Sequence, residues 1–174
     1  MTAETLSPAR LEECRAALHG NDSPAAYRAL WTLVAASRQS VPFLAGKLRP
    51  VEALEPTRLA RLLAGLDADA FADREKAEAD LAKLGEQVEP ALRKLSKESP
   101  SAEVRRRSEE LLTRITPSPE WLYASREVAV LEYAATPEAR RLLENLAAGL
   151  PGARLTTEAR DALKRLNPPV ASRR

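Results

Sequence analysis

The feature that most limits how this chain can fold is an arginine-led signature that recurs along it. In each copy an arginine is followed by a small or apolar residue at plus three and plus seven, and often by an aliphatic residue at plus ten. The copies read Arg74-Ala77-Leu81-Leu84, Arg105-Ser108-Leu112-Ile115 and Arg140-Leu143-Ala147-Leu150, with a looser copy at Arg28-Trp31-Ala35. These offsets fall on one stripe of an α-helix, so each copy predicts a helix with one face to bury. The three regular copies begin 105−74 = 31 and 140−105 = 35 residues apart, a period that indicates a stacked helical repeat.

Composition favours helices over sheets. The 174 residues are 44% hydrophobic and 30% charged, which is ordinary for a globular protein and argues against disorder. Aromatic residues at 4% and only 6 glycines fit an alanine- and leucine-rich helical array better than a sheet. Since no segment alternates as a strand between hairpin turns, we expect an all-α protein of about ten helices with no β-sheet.

Prolines mark the helix entrances, because a hydroxyl before proline supplies an N-cap and proline tolerates the first helical position. This pattern occurs at Ser7-Pro8, Ser23-Pro24, Ser118-Pro119 and Thr136-Pro137. We also expect Asp69 to cap a helix that stops at Gly85. The predicted helices cover about 8–19, 24–37, 41–48, 56–66, 69–84, 86–97, 101–115, 119–135, 137–150 and 156–166.

The signature also groups these helices, since each signature arginine lies on the first helix of a pair. Residues 1–166 are therefore predicted to form a single domain. Its parts are an N-terminal capping helix (1–22), a first pair with an inserted helix (23–66) and three regular pairs (67–166). Residues 167–174 are predicted to be a flexible tail.

The run from Asp69 to Gly85 resembles a HEAT-type repeat, as does Ser101-Ala-Glu-Val-Arg105. A longer stretch, about 26–166, resembles a HEAT-like helical module found in some bacterial proteins, often downstream of a WD-repeat propeller. It includes Tyr27-Arg-Ala-Leu-Trp31, Val41-Pro-Phe-Leu44, Glu89-Pro-Ala-Leu-Arg-Lys94, Thr136-Pro-Glu-Ala-Arg140 and Ala153-Arg-Leu-Thr156. The resemblance implies a right-handed α-solenoid of HEAT-like helix pairs. It also implies a protein-binding scaffold whose motif residues are structural.

The arginines admit a structural and a functional interpretation. We expect the signature arginines to bond to carboxylates or carbonyls of the neighbouring repeat, and the alternative is an arginine ladder that grips an acidic partner. In the cluster Arg105-Arg106-Arg107, we expect Arg106 to face solvent and Arg107 to flank the apolar stripe. Neighbouring glutamates at helical spacings favour a self-compensated face over a phosphate-binding patch. They are Glu103, Glu109 and Glu110.

Catalytic and metal-binding residues are scarce. His19 is the only histidine and Cys14 the only cysteine, and a separation of five residues keeps them off one helical face. We therefore expect no enzyme, no cofactor, no metal site and no internal disulfide. Trp31 is predicted to lie in the core of a central, nearly all-apolar helix, whereas Trp121 and Tyr123 are predicted to be partly exposed.

The sequence thus favours a non-enzymatic protein–protein interaction scaffold that uses a curved helical-repeat surface. The residues predicted to contact a protein partner are Arg93, Lys94, Lys97, Arg106, Trp121, Tyr123 and Arg141. The alternative is a HEAT-like nucleic-acid-binding module that uses the basic C-terminal half, although the net charge is only +2 and no aromatic residue follows Tyr133. We expect no membrane span, no signal peptide, no small-molecule substrate and a cytoplasmic location.

Overall fold

The structure, a computed structural model, describes residues 5–115 and 119–167, and the side chains of 119–121 lie outside this description. Throughout these ranges the chain is helical, without strands, as the composition predicts. The ten helices are α1 Pro8–Leu18, α2 Ser23–Ala35, α3 Ser37–Ala45, α4 Pro56–Ala64, α5 Phe71–Leu84, α6 Glu89–Glu98, α7 Ala102–Ile115, α8 Pro119–Ala134, α9 Pro137–Ala147 and α10 Arg154–Leu166. No helix of the described residues is both long enough and apolar enough to cross a bilayer.

Side-chain caps begin several helices as predicted. Ser7 accepts from the amide of Arg10 at 3.2 Å, and Thr136 accepts from the amide of Ala139 at 3.1 Å. The cap of α2 is Asp22 rather than Ser23, because its carboxylate accepts from the amide of Ala25 at 3.0 Å. Ser118 lies outside the described residues.

Two other predicted helix starts are wrong. Asp69 is not a cap, since α5 begins two residues later, after Ala70, and has no side-chain cap. Helix α3 begins at Ser37 rather than Val41 and carries Pro42 inside it. The predicted start, Val41, lies next to Pro42, whereas the helix begins earlier and contains this proline in its second turn.

The described helices form two compact units. The first unit contains α1, α2, α3, α8, α9 and α10 from Leu155 onward. Within it, α2 packs against α1 and α8, and α9 packs against α8 and α3. Stacking of sequence neighbours does not by itself account for the contact between α2 and α8, because residues 51–118 separate α3 from α8 and belong to the second unit.

The second unit contains α4 to α7 and residues 149–154. Its core is a continuous group of buried aliphatic side chains, chiefly Leu66, Leu81, Val88, Leu92 and Leu111. The stripe predicted for α5 is confirmed at Ala77 and Leu81, which are both buried.

Two signature arginines make the same contact in this unit. The Nη1 of Arg74 donates to the carbonyls of residues 68 and 69, at 2.6 and 2.8 Å. The Nη1 of Arg105 donates to the carbonyls of residues 99 and 100, at 2.5 and 3.2 Å. In both cases the acceptors lie five and six residues earlier. The acceptors are carbonyls, but the prediction that they belong to a neighbouring repeat is wrong for these two arginines, because they lie in the loop that enters the arginine's own helix.

In the first unit the signature arginines behave differently. The Nη1 of Arg140 donates to the side-chain oxygen of Asn167, at 2.9 Å, and so ties α9 to the end of α10. Arg28 is exposed on α2 and lines a groove described below. Apart from Asn167, the predicted tail lies outside the described residues.

Two positions with positive φ give opposite predictions for stability. Gly85 ends α5 at φ +52° and ψ −124°, where an added Cβ meets no atom within 4 Å, so Gly85→Ala isolates the cost of the backbone conformation. We expect that substitution to lower the free energy of unfolding by about 1–3 kcal/mol. Ala135 also has a positive φ, +51°, although it is not a glycine. Ala135→Gly should therefore raise the free energy of unfolding by up to about 1 kcal/mol. Urea unfolding of both variants measures the two effects, and equal signs would contradict the assignment of strain.

Candidate functional site

Three aromatic side chains form an exposed cluster on α2 and α8. Tyr27 is 65% exposed, Trp31 42% and Tyr133 55%. The ring of Trp31 meets Tyr27 edge-on at 6.1 Å and Tyr133 at 5.2 Å with a 32° tilt. The prediction that Trp31 is a core residue is therefore wrong, and we call these three side chains the aromatic cluster.

The reason lies in which stripe of α2 faces the core. The buried residues of this helix and its C-cap are Ala26, Ala29, Leu33 and Ala36, spaced at plus three, seven and ten. This stripe is displaced by two residues from the predicted Arg28-Trp31-Ala35 stripe, or about 200° around the helix. Small alanines let α2 approach its neighbours closely, and the large rings point outward.

A groove of about 600 Å³ lies beside the aromatic cluster. Its lining residues are Leu6, Tyr27, Arg28, Trp31, Thr32, Ala35 and Ala36. The hydroxyl of Thr32 donates to the carbonyl of Arg28 at 2.8 Å, so this hydroxyl is already used within the helix. Among the lining residues, Arg28 is the one charged side chain.

A second cluster joins α1 to α8 within the same unit. The carboxylate of Glu127 is 2% exposed, accepts from Nε of Arg15 at 2.6 Å and lies 2.8 Å from Nε2 of His19. The ring of His19 stacks on Tyr123 at 4.4 Å with an interplanar angle of 9°. The guanidinium of Arg126 donates to backbone carbonyls of 18 and 20 at the end of α1. His19 is thus held in a structural contact rather than presented to solvent, and Cys14 is buried elsewhere on α1.

The predicted partner-binding residues fall in both units. In the second unit, α6 brings Arg93, Lys94 and Lys97 together on exposed positions. Arg93 is bonded to Glu89 through Nη2 at 2.6 Å, whereas Lys94 lies 3.9 Å from Glu98. Arg106 is exposed on α7.

In the first unit, Tyr123 is half-buried against His19, and Arg141 is exposed on α9. The side chain of Trp121 lies outside the described residues. The groove residues Tyr27, Arg28 and Trp31 were missing from the prediction as a binding site.

The basic run on α7 is compensated, as predicted. Arg106 faces solvent and pairs with Glu103 at 2.8 Å and with Glu110. Hydrogen bonds from Arg106, and to a smaller extent from Arg107, lower the pKa of the Glu103 carboxyl to about 2. Arg107 is buried rather than at the edge of the stripe, and pairs with Glu78, Glu75 and Glu103.

Three basic residues of α10 also have partners within the protein. Arg165 pairs with Glu132 at 2.7 Å and Lys164 with Asp161 at 2.8 Å. The Nε of Arg160 donates to the carbonyl of residue 147 at 2.9 Å. These contacts engage basic side chains within the protein, whereas a nucleic-acid-binding surface would leave such side chains free to contact phosphates.

Within the parts of the chain that the structure describes, no group of three or more histidine, cysteine or carboxylate side chains is placed to hold a metal ion. The most distinctive surface of the described residues is the groove with its aromatic cluster. No protein-family model, curated protein or solved structure matches this chain.

Proposed function

We propose that the protein is a non-enzymatic interaction module that binds a protein partner in the groove of α2. The observation that carries this proposal is the exposed aromatic cluster beside a groove of about 600 Å³. Tyrosine and tryptophan are the residues that most often dominate the energy of protein interfaces. Here the ring of Trp31 contacts both tyrosines, so the three rings form an apolar surface that a partner can remove from water.

The exposure of the rings favours a macromolecular partner over a small molecule. A small-molecule site buries about 70–90% of its ligand between enclosing walls. Here Tyr27 and Tyr133 remain more than half exposed, so the apolar surface extends beyond the groove itself. A partner large enough to cover both the groove and the neighbouring rings uses all of this surface.

We also propose that the helices of the second unit follow a HEAT-like repeat. The matching contacts of Arg74 and Arg105 support this relation, because the same arginine bonds the same two positions of the preceding loop in α5 and α7. In this proposal the repeat is the supporting scaffold, and the arginine-led signature is a structural device. The partner then binds an uncovered helix face in the first unit.

A comparative capture experiment tests the proposed function. Tagged wild-type chain, Trp31→Ala, Tyr133→Ala and the control Phe71→Ala are recovered from nuclease-treated cells of the native host. Phe71 is a matched control because it is 64% exposed and lies on α5 in the second unit. We expect a defined protein to be retained by the wild type and Phe71→Ala and lost from both cluster variants.

Folding must be held constant for this comparison. Because the substituted rings are exposed, we expect the helical circular dichroism of all three variants to match the wild type. The same set of captured proteins in all four samples would contradict the proposal. Capture that occurs in a parallel sample without nuclease but not in the nuclease-treated sample would instead favour nucleic acid.

A further inference from the structure

The single charge on the lining of the groove is positive. Among the lining residues Arg28 is basic and none is acidic. Along α2, from Ser23 to Ala35, Arg28 is also the only charged residue. The chain as a whole is nearly balanced, with 27 basic and 25 acidic residues. The charge that the groove offers a partner is therefore positive.

Arg28 has no acidic partner among the described residues, in contrast to several other arginines of the chain. Buried or partly buried arginines such as Arg15, Arg107 and Arg154 each pair with a glutamate. The guanidinium of Arg28 is exposed at the groove and makes no ion pair with any residue in 5–115 or 119–167. Its five N–H donors are thus available to a carboxylate from outside the described chain.

The length of the groove fits a short helix. The lining residues of α2 run from Tyr27 to Ala35, a separation of eight positions that corresponds to a rise of about 12 Å at 1.5 Å per residue. A partner helix that places apolar residues at i, i+4 and i+7 spans about 10.5 Å by the same rise. The aromatic rings and the alanines at positions 35 and 36 offer these residues apolar contacts.

We propose that the occupant is an acidic amphipathic helix of another protein, whose apolar residues fill the groove and whose carboxylate pairs with Arg28. This inference rests on the proposed function and adds the chemistry of the partner. A second copy of this chain is a poorer fit to the groove. A two-fold interface between grooves would place the same surface on both sides, and the lining of that surface offers Arg28 no carboxylate.

A peptide selection tests this partner chemistry. A displayed library of helical peptides about 15 residues long is selected on the full chain and depleted on Trp31→Ala. We expect the enriched peptides to carry apolar residues at i, i+3 or i+4, and i+7, together with aspartate or glutamate. Fluorescence anisotropy of a selected peptide then measures its affinity for each variant.

Charge reversal at two exposed arginines provides the matched comparison. Arg28→Glu should weaken binding by about 10-fold or more, whereas Arg58→Glu on α4 in the second unit, which changes the net charge equally, should leave it nearly unchanged. Trp31→Ala should weaken binding by about 30-fold. The inference would be overturned if the selected peptides were basic or showed no preference in charge. It would also be overturned if the two charge-reversal variants weakened binding equally, or if no peptide were enriched on the wild type relative to Trp31→Ala.

The outcomes separate this inference from the function on which it rests. If capture from cells depends on Trp31 but the selected peptides are not acidic helices, the proposed binding surface is retained and the proposed class of partner is wrong. If capture does not depend on Trp31, both proposals fail. A concentration-dependent dimer abolished by Trp31→Ala would identify the occupant as a second copy and would also overturn the inference.

Discussion

Replacing Arg107 with alanine should lower the free energy of unfolding by about 3–5 kcal/mol. The side chain of Arg107 on α7 is 7% exposed, and it pairs with Glu78 on α5, whose side chain is 6% exposed. It also donates to Glu103 at 2.6 Å and lies 3.3 Å from Glu75. Removing the guanidinium leaves the Glu78 carboxylate buried, with only Arg114 at 3.4 Å as a weaker partner.

The neighbouring arginine provides the control. Arg106 has the same side chain, is 53% exposed and pairs with two glutamates that are themselves more than 40% exposed. Because solvent screens such pairs, Arg106→Ala should cost no more than about 1 kcal/mol. Urea unfolding measures both variants.

A double variant separates charge from packing. In Arg107→Ala with Glu78→Ala both members of the buried pair are gone, so the loss should be smaller than the sum of the two single losses. Strict additivity, or equal effects of Arg106→Ala and Arg107→Ala, would contradict the role assigned to the buried pair.

Replacing Glu127 with alanine should destabilise the first unit by about 2–4 kcal/mol. The carboxylate is 2% exposed and is shared by Arg15 and His19 on α1. Its removal takes away the common acceptor and leaves a space between α1 and α8. The partial exposure of Arg15, at 28%, lets its guanidinium regain some water and keeps the effect below that of a fully buried pair.

Cys14 reports the local effect of this substitution. Burial raises the pKa of the Cys14 thiol, and the residue is 3% exposed on α1. In the wild type we therefore expect a thiol reagent to react slowly in native buffer. In Glu127→Ala the reaction should accelerate, because α1 has lost one of its contacts with α8 and opens more often.

Glu132→Ala is the control on the same helix. Its partner Arg165 is 55% exposed, so the loss should be about 1 kcal/mol or less, with no change in Cys14 reactivity. Equal acceleration in both variants would show that general destabilisation, not the Glu127 contact, governs the thiol.

The helices were predictable because their signals are local. Prolines at first helical positions and the glycine at 85 lie within a few residues of the boundaries they set, so all ten helices could be placed from the sequence. Asp69 misled the prediction because α5 begins two residues later, after Ala70, and has no side-chain cap. Pro42 misled the prediction of the start of α3, because this proline lies inside the helix and not at its first position.

The face of α2 was not predictable from the same signals. Two stripes with identical spacing run along this helix, and the one with the larger apolar residue, Trp31, was expected to be buried. The alanine stripe is buried instead, because α2 packs against α8, a contact between elements far apart in sequence. Which stripe faces inward depends on that non-local packing.

The buried ionic residues were predictable only in part. Glutamates at helical spacings predicted a compensated face around Arg106, and the ion pairs confirm it. The partner of Arg107 on α5 lies 29 residues away, and that of Arg15 on α8 lies 112 residues away. No local spacing indicates such pairs.

Photo-crosslinking of the full chain in cells of its native host tests most directly whether the groove binds a protein. A photoreactive phenylalanine analogue replaces Tyr27 in the groove or, as the control, Phe71 on α5. The two sites are matched at 65% and 64% exposure. We predict a defined protein adduct from position 27 that is absent from position 71 and is lost when Trp31→Ala is added. No adduct at position 27, or the same adduct from both positions, would contradict the account.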